Sequence, residues 1–208
     1  MTNSKNSLAL VITYFITLNL VSLSSYFWGH SHNIYLYLTL LNLFGMGLML
    51  AFNHHFSFQN HFEKKKATWQ LSLVWVVVGF IGLLLSQAIA LFIESFFFHQ
   101  TLSSTNTQTL LTIAKSYPYY SLVIVLAAPV MEELVFRKVL LGNISDAFSS
   151  KYALILSTLL FVLAHNDGHF LVYALMGLIL SGVYFKTGRI EASIACHLAL
   201  NLFIIFNS

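Results

Sequence analysis

Seven long apolar runs divide the chain, and each has the composition of a membrane-spanning helix. Such a helix needs about 20 mostly apolar residues. The runs cover residues 7–28, 33–52, 71–93, 121–141, 152–165, 170–185 and 190–206, and the fifth is short. The first run is too long for a signal peptide, and no small-residue cleavage site closes it. The pattern predicts an all-α, polytopic membrane helix bundle of about seven transmembrane helices.

Composition supports the same class of protein. Hydrophobic residues make up 58% of the 208 residues, charged residues make up only 8%, and the mean hydropathy is +0.78. A soluble domain carries about a quarter charged residues, so this chain could not cover a water-facing surface. The single cysteine, Cys196, excludes an internal disulfide.

The positions of the basic residues predict the orientation in the cell membrane. If the N-terminus is cytoplasmic and the chain crosses seven times, nearly all lysines and arginines fall on or near the cytoplasmic side, as the positive-inside rule expects. These residues are Lys5, Lys64, Lys65, Lys66, Arg137, Lys138, Lys151, Lys186 and Arg189, and only Lys115 falls outside. The net charge of +3 therefore reflects topology, and nucleic acid is not an expected partner.

The chemistry of the chain changes near residue 120. The first three runs contain no charged residue in their interiors, whereas the last four contain almost all the polar groups at membrane depth. We therefore predict N-terminal transmembrane helices and loops over 1–117 and a four-helix catalytic core over 118–208. The long connection before the core, 94–120, includes a segment, 110–120, with the pattern of a short interfacial helix.

The fourth run contains the segment PVMEELVFRKV, which places three charges inside an apolar helix. An ionisable group at bilayer depth costs roughly 3 kcal/mol or more, so it is usually paired or functional. Glu133 and Arg137 are four residues apart and share a helix face, which predicts a structural ion pair. Glu132 is left over, and this surplus carboxylate indicates function. Pro129 frees a backbone carbonyl about one turn earlier.

Two further runs contribute polar groups. FVLAH ends in His165, and HLALN places His197 and Asn201 four residues apart on one helix face. Either could be structural, since membrane helices use His and Asn for interhelical hydrogen bonds. His169 follows the turn sequence NDG, so we assign it to a loop or interface.

Taken together, these groups supply what amide hydrolysis needs. A carboxylate and an imidazole, Glu132 and His165, can activate a water, and His197 and Asn201 can donate to an oxyanion. The sequence offers no Ser with a paired His and Asp, and Cys196 faces another direction than its neighbour His197. Nucleophilic Ser or Cys catalysis is therefore not favoured.

Residue counting sets a condition on a shared site. Glu132 and His197 lie about 10–14 Å from the cytoplasmic ends of their helices, whereas His165 lies at the outer end of its run. A common site therefore requires strong tilt, or requires 143–150 to fold partly into the membrane.

The three motifs match a known family. EELVFR resembles the EExxxR motif of the CAAX-protease and bacteriocin-processing family of intramembrane proteases, also called the Abi family. FVLAH resembles that family's FxxxH motif, and HLALN resembles its HxxxN motif. The resemblance covers roughly 118–208. One departure is Lys138, where many members have Gly.

The resemblance implies a helical-bundle membrane endopeptidase. In similar proteins the residues matching Glu132 and His165 activate a water, and those matching His197 and Asn201 stabilise the oxyanion. Compact members of this kind are associated with bacteriocin processing or self-immunity. The expected partners are the lipid bilayer and a membrane-associated peptide or protein substrate, and the oligomeric state stays open.

The need for a metal is a separate question. Glu132, His165 and His197 could hold zinc in a three-ligand site with one open position. No HExxH pair puts two ligands on one helix face, so the spacing favours a reaction without a cofactor, with zinc as the alternative.

Two other functions fit the same residues. A non-enzymatic immunity or partner-binding membrane protein would use the buried groups only for structure. A proton-coupled transporter would use the buried Glu and His as a relay, although no internal repeat of the transporter kind is present.

Overall fold

In the computed structural model, which describes residues 2–101 and 104–207, every regular element is helical. The elements are α1 (Thr2–Trp28), α2 (Ile34–His55), α3 (Trp69–Phe98), α4 (Thr105–Ser116), α5 (Pro118–Asn143), α6 (Ser150–His165), α7 (Phe170–Thr187) and α8 (Ile190–Phe206). Here α5 denotes a continuous helix built from 3₁₀, π and α segments. The predicted all-α membrane bundle is confirmed.

All seven apolar runs are helices, but they differ in length. Among the described residues, α1, α2, α3, α5 and α7 are long and apolar enough to cross a membrane. The apolar helices α6 and α8 contain 16 and 17 residues. At 1.5 Å per residue they fall short of a hydrocarbon core about 30 Å thick. The segment 110–120, predicted as a short interfacial helix, is divided between α4, which begins at Thr105 and ends at Ser116, and the start of α5 at Pro118.

Short connections hold α6, α7 and α8 side by side. Ser149 caps α6 by accepting a hydrogen bond from the backbone N–H of Lys151 at 3.4 Å, and Asn166 ends the helix in the left-handed region, at φ 37°. Gly188, at φ 59°, turns the chain between α7 and α8. A Cβ at this glycine would lie 2.4 Å from the carbonyl oxygen of Phe62, so a side chain does not fit there.

Helix α5 is irregular on both sides of the charged segment. Val123–Ala127 and Leu134–Asn143 are π-helical, and Ala128–Glu133 between them is α-helical. In π spacing the carbonyl of Ile124 would pair with the N–H of residue 129, but Pro129 has none. That carbonyl accepts a hydrogen bond from Asn201 Nδ2 at 2.8 Å instead. The proline thus frees a carbonyl, as predicted, and a polar residue of α8 binds it.

Two charged side chains lie inside the bundle where the sequence interpretation did not place them. Helix α3 continues past the predicted end at residue 93, so Glu94 belongs to it and is only 3% exposed. Lys138, assigned to the cytoplasmic side, is 4% exposed and binds both carboxylate oxygens of Glu63 at 2.9 and 2.8 Å. Glu63 is buried with Lys138, whereas the neighbouring residues 64–66 are exposed.

The two halves of the chain pack against each other extensively. Helix α3 lies along α7 and α8, and α1 packs on α2 and on the last part of α5. One apolar cluster joins Leu10, Leu83, Phe161 and Leu180 from four different helices. The division into 1–117 and 118–208 stays a prediction.

Candidate active site

The predicted site residues come together in one cavity. Glu132 from α5, His165 from α6, and His197 and Asn201 from α8 all line a cavity of about 240 Å³. Aliphatic side chains of α3, α4 and α8 form much of the remaining wall. Four polar groups from three helices therefore line the same cavity.

Residue counting places His165 and His197 at different depths in the membrane, but both lie near the ring of Phe161. Its ring centroid lies 4.5 Å from that of His165 and 6.4 Å from that of His197. Burial extends from Asn143, the last residue of α5, to Ser145 in the following connection, whereas residues 146–149 are exposed.

Glu133 is fully buried and has three partners. The predicted ion pair with Arg137 is present, with Oε1 3.2 Å from Nη1. Ser193 donates its hydroxyl to Oε2 at 2.5 Å, and His197 Nδ1 lies 3.0 Å from Oε1. Because a carboxylate only accepts, Nδ1 of His197 carries the proton. Glu133 therefore orients His197 as well as pairing with Arg137, and the sequence interpretation missed this second contact.

Glu132 is the accessible carboxylate of the pair. Its side chain is 18% exposed, whereas that of Glu133 is fully enclosed. Its Oε2 lies 4.0 Å from Nε2 of His197. The carboxylate is thus open to the cavity and close to an imidazole, and it is separate from the structural ion pair.

His165 is fixed by its own helix and by an aromatic neighbour. Its Nδ1 lies 2.8 Å from the carbonyl oxygen of Phe161, so Nδ1 donates and Nε2 is left for the cavity. The ring stacks on Tyr173 at a centroid distance of 4.0 Å and an interplanar angle of 26°. The Tyr173 hydroxyl donates to Asp167 at 2.9 Å, and the Ser104 hydroxyl donates to the same carboxylate oxygen. These orienting residues were not predicted, and no motif in the sequence indicates them.

Asn201 is already partly engaged. One amide hydrogen of Asn201 is donated to the carbonyl of Ile124, which leaves the second hydrogen and the carboxamide oxygen for other contacts. The side chain is half-buried and lines the cavity.

His169 lies in the connection between α6 and α7, in agreement with its assignment to a loop, but its side chain is buried. It is 2% exposed and lines the same cavity. Its Nδ1 lies 2.8 Å from Oε2 of Glu94. The sequence contained one signal for this contact: Glu94 directly follows the apolar run 71–93, and a charge at that depth needs a partner.

The donor groups of Glu132, His165 and His197 suit zinc chemically, since each imidazole keeps Nε2 open. As arranged, however, they do not form a metal site. Among the described residues, no group of three or more His, Cys, Asp or Glu side chains is placed to hold a metal ion. We derive no step through a metal, and the prediction of a cofactor-free reaction stays a prediction.

A Ser, His and Asp do approach each other, but at the opposite end of α6. His61 Nδ1 lies 2.6 Å from Asp146 Oδ1, and His61 Nε2 lies 3.5 Å from Ser150 Oγ. Ser150 begins α6 and His165 ends it, so the two groups lie about 22 Å apart. The side chain of His61 is 42% exposed, and none of the three residues lines the cavity. This group lacks the enclosed pocket of an active site.

Comparison with known proteins gives a family for this region. Residues 114–203 match the family model described as type II CAAX prenyl endopeptidase Rce1-like. The chain is 34% identical over 136 residues to the "Putative membrane peptidase YdiL" of Bacillus subtilis (strain 168). It is 32% identical over 138 residues to the "Membrane-embedded CAAX protease MroQ" of Staphylococcus aureus (strain USA300).

The matched segments cover 65% and 63% of this chain but 56% of each relative, so the chain spans little more than half of their length. No solved structure gives a significant match. The family model covers all three motifs and the four predicted site residues Glu132, His165, His197 and Asn201. Residues 114–203 are therefore similar to the Rce1-like CAAX prenyl endopeptidases, in agreement with the resemblance of the three motifs.

Proposed function

We propose that this protein is an intramembrane endopeptidase that hydrolyses a peptide bond of a membrane-associated peptide or protein. One observation carries the proposal: Glu132, His165, His197 and Asn201 come from three helices and line a single cavity. The family resemblance implies bacteriocin processing or self-immunity, and we propose this as the biological setting.

The proposed chemistry assigns a role to each group. Glu132 takes a proton from a water that His165 helps to hold through Nε2, and the water oxygen attacks the peptide carbonyl. The proton then passes from Glu132 to the leaving amine nitrogen as the C–N bond breaks. Glu132 suits this role because it is exposed to the cavity while Glu133 is enclosed.

The oxyanion that forms on the carbonyl needs donors. Asn201 has one free amide hydrogen after its bond to Ile124, and it is placed in the cavity wall. His197 presents Nε2 to the cavity because Glu133 binds its Nδ1. When protonated, with a carboxylate near each nitrogen, this imidazole would donate to the oxyanion. Glu133 then acts as a positioning residue for His197.

The cavity wall indicates the kind of substrate. Aliphatic side chains such as Leu83, Leu110 and Ile204 face the same space as the polar groups. A cavity of about 240 Å³ lies below the usual range for a whole small-molecule ligand, about 300–1,000 Å³. It would hold one or two apolar side chains beside the scissile bond, which fits a hydrophobic peptide segment.

We also propose that the cavity opens on the outer side of the membrane. Its wall includes residues of α4 and the end of α6, which lie at the end of the bundle away from the basic loop 64–66. With a cytoplasmic N-terminus, that loop is inside and α4 is outside.

The proposal is tested by peptide cleavage with the purified protein in detergent, using a mixed library of lipidated and hydrophobic peptides. Wild type is compared with Glu132→Ala and with Glu191→Ala, a matched control because Glu191 is an exposed carboxylate at the start of α8. Each protein is assayed with and without a chelator. We expect wild type and Glu191→Ala to cleave, with or without chelator, and Glu132→Ala to be inactive.

Two results would contradict parts of this account. Cleavage that survives in Glu132→Ala would remove that carboxylate from the mechanism. Loss of cleavage with chelator, restored by zinc, would replace the cofactor-free mechanism by one that uses a metal.

A further inference from the structure

We propose that His169 is a substrate-binding residue of this cavity, and that Glu94 positions it. In this assignment Nε2 of His169 accepts a hydrogen bond from a backbone N–H of the bound peptide. The inference rests on the proposed peptidase function and adds a contact outside the three motifs.

The geometry leaves only one nitrogen of His169 for a ligand. Nδ1 lies 2.8 Å from Oε2 of Glu94, and it must carry the proton because a carboxylate only accepts. In the neutral ring Nε2 is then an acceptor. The residue is 2% exposed yet lines the cavity, so its open nitrogen is shielded from bulk solvent.

Glu94 holds this ring firmly. Its other oxygen, Oε1, accepts the backbone N–H of Leu171 at 2.5 Å, in the first turn of α7. The carboxylate is 3% exposed and therefore ties the end of α3 to the start of α7 while it orients His169. A buried imidazole that is already held by Glu94 loses little further freedom when a peptide binds, which favours binding.

The arrangement of His169 repeats that of His197 in the same cavity. In each pair a buried glutamate binds Nδ1 of a histidine that lines the cavity, Glu133 for His197 and Glu94 for His169. An extended peptide has alternating backbone N–H and C=O groups. With His197 and Asn201 beside the scissile carbonyl, His169 is left to bind a backbone N–H farther along the peptide.

The pair could instead be purely structural and only join α3 to α7. Two conservative variants of His169 distinguish these roles, because each keeps one of its two contacts and removes the other. In His169→Asn the carboxamide can replace Nδ1–H and keep the bond to Glu94, but nothing replaces Nε2. In His169→Gln the longer carboxamide can place an acceptor where Nε2 was, but the bond to Glu94 is lost. The two variants therefore separate the binding role from the structural one.

The experiment uses the Glu132→Ala protein in nanodiscs, so that bound peptides are not cleaved. The probe is the mixed library of lipidated and hydrophobic peptides, and mass spectrometry gives the apparent Kd of each retained peptide. His169→Asn, His169→Gln and the control His54→Asn are added to this background, His54 being an exposed histidine of α2. The Tm of each protein is measured in parallel.

We expect His169→Asn to keep its Tm and to bind about three- to tenfold more weakly, as the loss of one hydrogen bond predicts. His169→Gln should bind nearly normally with a lower Tm, and His54→Asn should change neither quantity. Equal binding by all variants would overturn the inference and leave the proposed function intact. If the parent retains no peptide and wild type cleaves none, the proposed function fails and the inference falls with it.

Discussion

The replacement Glu133→Ala tests the buried charge network most sharply. Glu133 is fully buried, and its ion pair is the one salt bridge of Arg137 within the described part of the chain. The alanine variant would leave the enclosed guanidinium without its counter-charge. It would also leave Ser193 and His197 without the acceptor that they bind at 2.5 and 3.0 Å.

Removing one partner of a buried ion pair costs about 3–5 kcal/mol, and each lost hydrogen bond adds about 1 kcal/mol. For a chain of this length, 1 kcal/mol shifts the Tm by about 2–4 °C. With two hydrogen bonds lost, the total is about 5–7 kcal/mol, so we expect the Tm of Glu133→Ala to fall by roughly 10–28 °C.

Thermal unfolding in detergent, followed by circular dichroism, measures this difference. The double variant Glu133→Ala/Arg137→Met should recover part of the loss, because it no longer contains an unpaired buried charge. The control Glu191→Ala should change the Tm by no more than a degree or two, since this carboxylate is exposed. A Glu133→Ala protein as stable as the control would refute the assigned network, and so would a double variant less stable than the single one.

Three further expectations follow from the site and the topology. Asn201→Asp should slow cleavage about 100- to 1,000-fold, because it removes an oxyanion donor at nearly constant size; an unchanged rate constant would exclude that role. Lys138→Gly, which restores the residue common in the family, should lower the Tm because it leaves Glu63 buried without its cation, while Glu63→Gln/Lys138→Gly should recover part of the loss. In intact cells, a membrane-impermeant maleimide should label His99→Cys but not Lys65→Cys, against a low background because the native cysteine is buried; the reverse pattern would invert the topology.

The sequence predicts most of the fold because membrane helices are specified by the length of their apolar runs. All seven runs are helices, and the four residues chosen from charge and spacing line one cavity. Helical spacing also predicts the pair of Glu133 with Arg137, because their separation of four residues is set by the helix itself.

The contacts that the sequence did not predict join residues far apart in the chain. Glu94 and His169 are 75 residues apart, as are Glu63 and Lys138. No local pattern links such residues. Glu94 directly follows a predicted run, Glu63 lies in the middle of the connection 53–70, and both were interpreted as loop residues. The donor Asn201 and its acceptor Ile124 are also remote, at 77 residues, although the proline that frees the carbonyl was visible in the sequence.

The carboxylate of Glu132 is the proposed general base for peptide hydrolysis in this cavity. The most direct test is the cleavage rate constant of one peptide substrate, identified with the wild type in the library, for wild type and Glu132→Ala in the same nanodiscs. We expect the rate constant to fall at least about 100-fold, the contribution of a general base, with an unchanged apparent Kd. A variant that keeps more than about a tenth of the wild-type rate constant would contradict this role of Glu132.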